Sequence, residues 1–70
     1  MTAAEFEQLT AVEAECLLRE RLRVFIAAGA EPCAALVLAA QVEVSEQAAV
    51  QLLGDGFSVD LTLRLLYSAA

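Results

Sequence analysis

The groups in this chain that could do chemistry are ten carboxylates, four guanidinium groups and two thiols; histidine and lysine are absent. Without an imidazole or an amine, proton transfer near neutral pH would fall to carboxylates alone. Glu13, Glu15 and Glu20 are the densest run, but they lie on or beside one helix face and alternate with arginines, the pattern of a solvated surface. Ser45 and Ser58 stand where helices should start, so their hydroxyls already have a capping role. Cys16 and Cys33 have no metal spacing and no histidine to complete a site. Both fall in apolar runs and are expected to be buried, reduced and inert, although Cys33 follows Pro32 at a helix start, where a thiolate is stabilised. Gly54-Asp55-Gly56 lacks a following lysine and carries a carboxylate that repels phosphate, so it is no phosphate loop. The expectation is a chain that is not an enzyme, with no catalytic residue, no metal and no cofactor.

The elements that must position these groups are set out by a motif used twice. The first copy runs Phe25-Ile26-Ala27-Ala28-Gly29, then Ala30-Glu31-Pro32, then Cys33-Ala34-Ala35-Leu36-Val37-Leu38. The second runs Leu52-Leu53-Gly54-Asp55-Gly56, then Phe57-Ser58-Val59, then Asp60-Leu61-Thr62-Leu63-Arg64-Leu65. In each, a glycine stands where a helix should stop and a helix-starting residue follows. The first helix is predicted over 11–28, opened by a Thr10–Glu13 capping box. Its apolar stripe is Ala11, Ala14, Leu18, Leu22 and Phe25, widened by Leu17 and Ile26. Pro32 opens a second helix to about Ala40 that is apolar on every side and therefore expected to be enclosed. Residues 41–44 read as an extended connector. Ser45 caps a third helix over 46–53, and Ser58 a fourth over 59–68 whose polar strip is Asp60, Arg64 and Ser68. Residues 1–9 are weakly patterned and expected to fray or form a short helical turn. The fold class is all-α: a compact bundle of four short helices with two helix-Gly-helix turns, a single small domain over 1–70.

Composition narrows the partners. The chain is 60% apolar with a formal net charge of −6. That charge repels nucleic acid and anionic lipid, so neither nucleic acid nor a membrane is expected. No uncharged apolar run reaches the ~20 residues a span requires. The start lacks a basic leader segment, and two free cysteines suit a reducing compartment, so a cytoplasmic location is expected. A core this small rarely suffices alone, which points to a protein partner, a homo-oligomer or both. The candidate interaction residues are Leu61, Leu65, Leu66 and Tyr67 on the last helix, with Arg19 and Arg23, one turn apart, as anchors for a partner's carboxylate.

Two resemblances bear on function. Arg19-Glu20-Arg21-Leu22 through Leu53, with Leu38-Ala39, Ser45, Ala48-Ala49 and Leu52-Leu53, resembles the helical segment that follows the protease domain in phage-type capsid maturation proteases of the S49 class. That resemblance implies a scaffold-like assembly role and carries over no protease residue. Leu53-Gly54-Asp55-Gly56-Phe57-Ser58 and the helices around it, within Leu52–Leu66, resemble the glycine-phenylalanine loop of ubiquitin-associated domains, with Asp55 where that family usually has methionine. The expected function is a non-catalytic protein-protein interaction module, a small oligomerising adaptor or assembly protein working through an apolar helical face. The alternative is an acidic regulatory inhibitor, of phage or mobile-element type, that blocks a basic site on a nucleic-acid-binding protein.

Overall fold

The computed structural model describes residues 1–68, except the side chain of Ser68. The chain is all-α, and its described residues form five helices in the order α1 (Ala3–Glu7), α2 (Ala11–Ala27), α3 (Pro32–Ala40), α4 (Glu46–Gly54) and α5 (Val59–Ser68). No strand occurs among the described residues. Four of these are the expected helices. The fifth, α1, is the short helical turn that was one of the two expectations for residues 1–9, and it forms because Thr2 and Glu5 make a capping box of their own: the Thr2 hydroxyl accepts from the Glu5 N–H, and the Glu5 carboxylate from the Thr2 N–H, both at 3.1 Å. Thr10 and Glu13 repeat that arrangement at the start of α2, at 3.1 and 2.9 Å. In both boxes the backbone N–H of the threonine holds the glutamate below its usual pKa.

The two copies of the sequence motif close in the same way. Gly29 has φ +108° and Gly56 has φ +96°, the left-handed region where glycine carries no side-chain penalty. After α2, Gly29 N–H donates to Ile26 C=O and Ala30 N–H to Phe25 C=O, each at 3.0 Å. After α4, Gly56 N–H donates to Leu53 C=O and Phe57 N–H to Leu52 C=O, each at 3.1 Å. These are two Schellman motifs, and each satisfies carbonyls that the helix end would otherwise orphan. Pro32 then opens α3 without a side-chain cap, whereas Ser58 caps α5 by accepting from Leu61 N–H at 3.2 Å. α4 runs one residue beyond expectation, to Gly54, and α2 stops one short, at Ala27.

The helices therefore form two sequential pairs, α2–α3 and α4–α5. The pairs stack like on like, α2 against α4 and α3 against α5. The buried core between them is Phe25, Ala35, Leu38, Ala39, Ala49 and Leu53, closed by Ala30 and Val44. Residues 41–44 are a turn rather than an extended connector. Val42 N–H bonds to Ala40 C=O and Val44 N–H to Gln41 C=O, so the chain reverses in four residues and drops Val44 into the core.

Candidate interaction surface

The buried half of the site begins at Arg21. Its Nε donates to Ala39 C=O at 3.1 Å, and its Nη2 donates to Gln41 C=O at 3.0 Å and Val44 C=O at 3.1 Å. Its guanidinium also lies 5.3 Å from the Phe25 ring centroid. Only 6% of the residue is exposed. The cation sits at the C-terminal end of α3, where orphan carbonyls and the negative end of the helix dipole favour it. Burial lowers its pKa, and the nearby Glu46 carboxylate works against that shift. Arg21 is thus a structural clamp across α2, α3 and the turn before α4, off the exposed face that carries Arg19 and Arg23. The signal was present in the sequence: Arg21 falls four residues before Phe25 and three after Leu18, inside the apolar stripe.

With its C-terminal end fixed by that clamp, α3 turns Ala35, Leu38 and Ala39 inward. The expectation that α3 is enclosed on all sides is corrected here. Cys33, Leu36, Val37 and Ala40 are all exposed, Leu36 by 59% and Val37 by 54%. The reason is geometric: packing against α2 and α5 covers only about half of a helix circumference. The four exposed positions are spaced i, i+3, i+4 and i+7, so they form one continuous stripe. Next to it, Leu36 closes a groove of about 420 Å³ whose other walls are Glu15, Leu18, Arg19 and Leu22 of α2. The expected burial of the thiols is corrected with it, since Cys16 and Cys33 are both free and exposed. The apolar neighbours of Cys33 mark a surface stripe, not a core.

The residues nominated from sequence divide between two places. Arg19 and Arg23 are exposed on α2, each already paired, Arg19 to Glu15 and Arg23 to Glu20, both at 2.6 Å. The Glu20 hydrogen bond raises the pKa of Arg23. Leu61, Leu65 and Tyr67 are exposed on α5, but Leu66 is partly buried against the core. Tyr67 donates its hydroxyl to Gln41 Oε1 at 2.6 Å. Asp60 and Arg64 pair at 3.3 Å on the same outer side of α5, as their four-residue spacing predicts; the Ser68 side chain lies outside the described residues. The groove that holds Arg19 is completed by α3 and not by α5, so the arginines and the α5 leucines do not share one site. The α3 stripe was missed because a run apolar on every side carries no periodicity to say which side faces water.

Counting from each glycine pairs the two copies position by position. Cys33, Leu36, Val37 and Ala40 of α3 correspond to Asp60, Leu63, Arg64 and Tyr67 of α5. On α5 three of these positions carry an ion pair and a hydrogen-bonded phenol and the fourth, Leu63, packs against the core, whereas on α3 all four are uncharged and exposed. Among the described residues no group of His, Cys, Asp and Glu could hold a metal ion, and no helix is long and apolar enough to cross a membrane. No family model, curated protein or solved structure matches this chain.

Proposed function

We propose that this chain is a non-catalytic protein-protein interaction module, an oligomerising adaptor or scaffold-type assembly protein of the cytoplasm. The observation that carries the reading is the uncharged stripe Cys33, Leu36, Val37 and Ala40, exposed beside an apolar groove and free of an ion pair such as Asp60–Arg64 places at the equivalent positions of α5. Apolar side chains gathered on one exposed helix face, rather than scattered singly, mark interaction sites. The resemblance of Arg19 to Leu53 to the helical tail of phage-type capsid proteases supports the assembly version of this role. The free thiols Cys16 and Cys33 suit a reducing compartment.

Affinity capture with the tagged chain tests the reading against the acidic-inhibitor alternative. A complex formed through the α3 stripe survives washing at about 1 M salt, where the screening length falls to ~3 Å. It is lost in Leu36→Glu. A complex that dissolves in salt and ignores Leu36→Glu would overturn the reading in favour of an acidic decoy for a basic site.

A further inference from the structure

We infer that the occupant of the α3 stripe is a second copy of this chain, packed α3 against α3 in antiparallel fashion about a twofold axis between Leu36 and Val37. The inference rests on the interaction-module reading and names its partner. A twofold interface must be complementary to itself. The stripe meets that condition: in order it is small, large, large, small, namely Cys33, Leu36, Val37 and Ala40. Reversed against itself it sets Leu36 on Val37 of the other copy and Cys33 on Ala40 of the other copy. Large side chains then meet large ones in the centre, and the small ends let the helices approach. In a parallel pairing, Cys33 would face Cys33 and the two helix dipoles would align unfavourably.

Charge and area fit the same arrangement. The stripe itself carries no charge, and the charged residues lining the adjoining groove, Glu15 and Arg19, neutralise each other. Each copy therefore brings its own counter-charge to the rim, and no carboxylate is buried without a partner. The −6 charge of each copy resists association from elsewhere on the molecule, so added salt should strengthen the dimer by screening. A nine-residue helix is about 13 Å long and ~10 Å across. With the walls of its groove it offers at most several hundred Å² per copy, at or below the ~800 Å² of a standard interface. That area places the dimer in the weak, transient class. The competing face on α5 is less suited, because Leu61 and Leu65 are exposed by 40% and 41% against 59% and 54% for Leu36 and Val37.

Sedimentation equilibrium on the full chain, over roughly 1 µM to 1 mM protein and at low and high salt, tests the proposal. The expected result is a mass rising from 7.4 kDa towards twice that value, at lower protein concentration when salt is added. Leu36→Glu and Val37→Lys should each be monomeric with unchanged circular dichroism, since both positions are exposed. An equimolar mixture of the two variants should regain the dimer, because position 36 of one copy meets position 37 of the other. A wild-type chain monomeric throughout would overturn the second-copy occupant while leaving the stripe to an unlike protein. A dimer that ignores both variants would overturn the occupant and the α3 reading together. A mixture that stays monomeric would overturn the antiparallel pairing. As a check independent of those variants, Ala40→Cys in a Cys16→Ser background should form intermolecular disulfides with Cys33 under oxidised glutathione, and Cys16→Ser alone should not. Equal cross-linking in both would also overturn the pairing.

Discussion

The two helix-glycine-helix junctions share one backbone solution and place their side chains differently. Each ends in a Schellman motif around a positive-φ glycine, and each starts its next helix three residues on. In the first, the aromatic residue is Phe25, three positions before the cap and fully buried. In the second, it is Phe57, past the glycine and 37% exposed. The position equivalent to Arg21 is Ala48, so the α4–α5 pair has no clamp. The position equivalent to Ala35 is Thr62, fully buried with an unpartnered hydroxyl. Backbone hydrogen bonding fixes how a chain turns between helices, and side-chain volume and charge then decide which pair is core and which is cover.

The largest expected effect separates Leu38 from its counterpart Leu65. Leu38 is fully buried and Leu65 exposed. Leu38→Asp buries a carboxylate without a partner and should cost about 4 kcal/mol, enough to unfold a domain of this size. Leu65→Asp should stay within about 0.5 kcal/mol. Chemical denaturation followed by circular dichroism reads both, and equal destabilisation would make the two pairs equivalent after all.

Next comes the clamp. Arg21→Met keeps the apolar stem but strands the carbonyls of Ala39, Gln41 and Val44. The expected loss is about 3 kcal/mol. Arg21→Lys should recover only part of it, because an ammonium cannot reproduce the planar fork. A melting midpoint unchanged in Arg21→Met would show that the clamp contributes nothing to the difference between the pairs.

The glycines should behave alike. A Cβ at either Gly29 or Gly56 meets no atom within 4 Å, so the only cost of alanine is its left-handed backbone. Each substitution should cost about 1 kcal/mol, with the two values within a few tenths. A much larger value at one of them would mean that the junctions differ in backbone strain as well as in side chains.

The smallest effect has the opposite sign. Thr62→Val replaces a buried hydroxyl that has no partner with a methyl group of nearly the same volume, so it should stabilise by roughly 0.5–1 kcal/mol. A destabilised Thr62→Val would reveal that the hydroxyl is used.

How much of this was legible depended on which residues carried the information. The helix starts were readable because Thr10, Pro32, Ser45 and Ser58 act through their own nearest backbone. The stops were readable because only glycine takes a positive φ without strain. The α2 stripe was partly readable: Phe25 is buried and Leu22 packs against the core, Ala14, Leu17 and Leu18 are half-buried, and Ala11 and Ile26, at its ends, are exposed. α3 was legible as a helix and illegible as a surface, since eight successive apolar residues name no inner side. Arg21 was marked by its place in the stripe and masked by its type. An arginine reads as surface until the acceptors some 18 to 23 residues downstream are known.

Those separations also bear on the order of events when the chain folds. The clamp closes a loop of about twenty residues, and the main helix packings are between sequence neighbours or next neighbours. Closing so short a loop costs little chain entropy, and a topology of such local contacts belongs to the class that folds in microseconds to milliseconds. α2, α3 and the turn to α4 can thus reach native geometry as one unit, tied by a single guanidinium. Arg21→Met is then expected to slow folding more than it speeds unfolding.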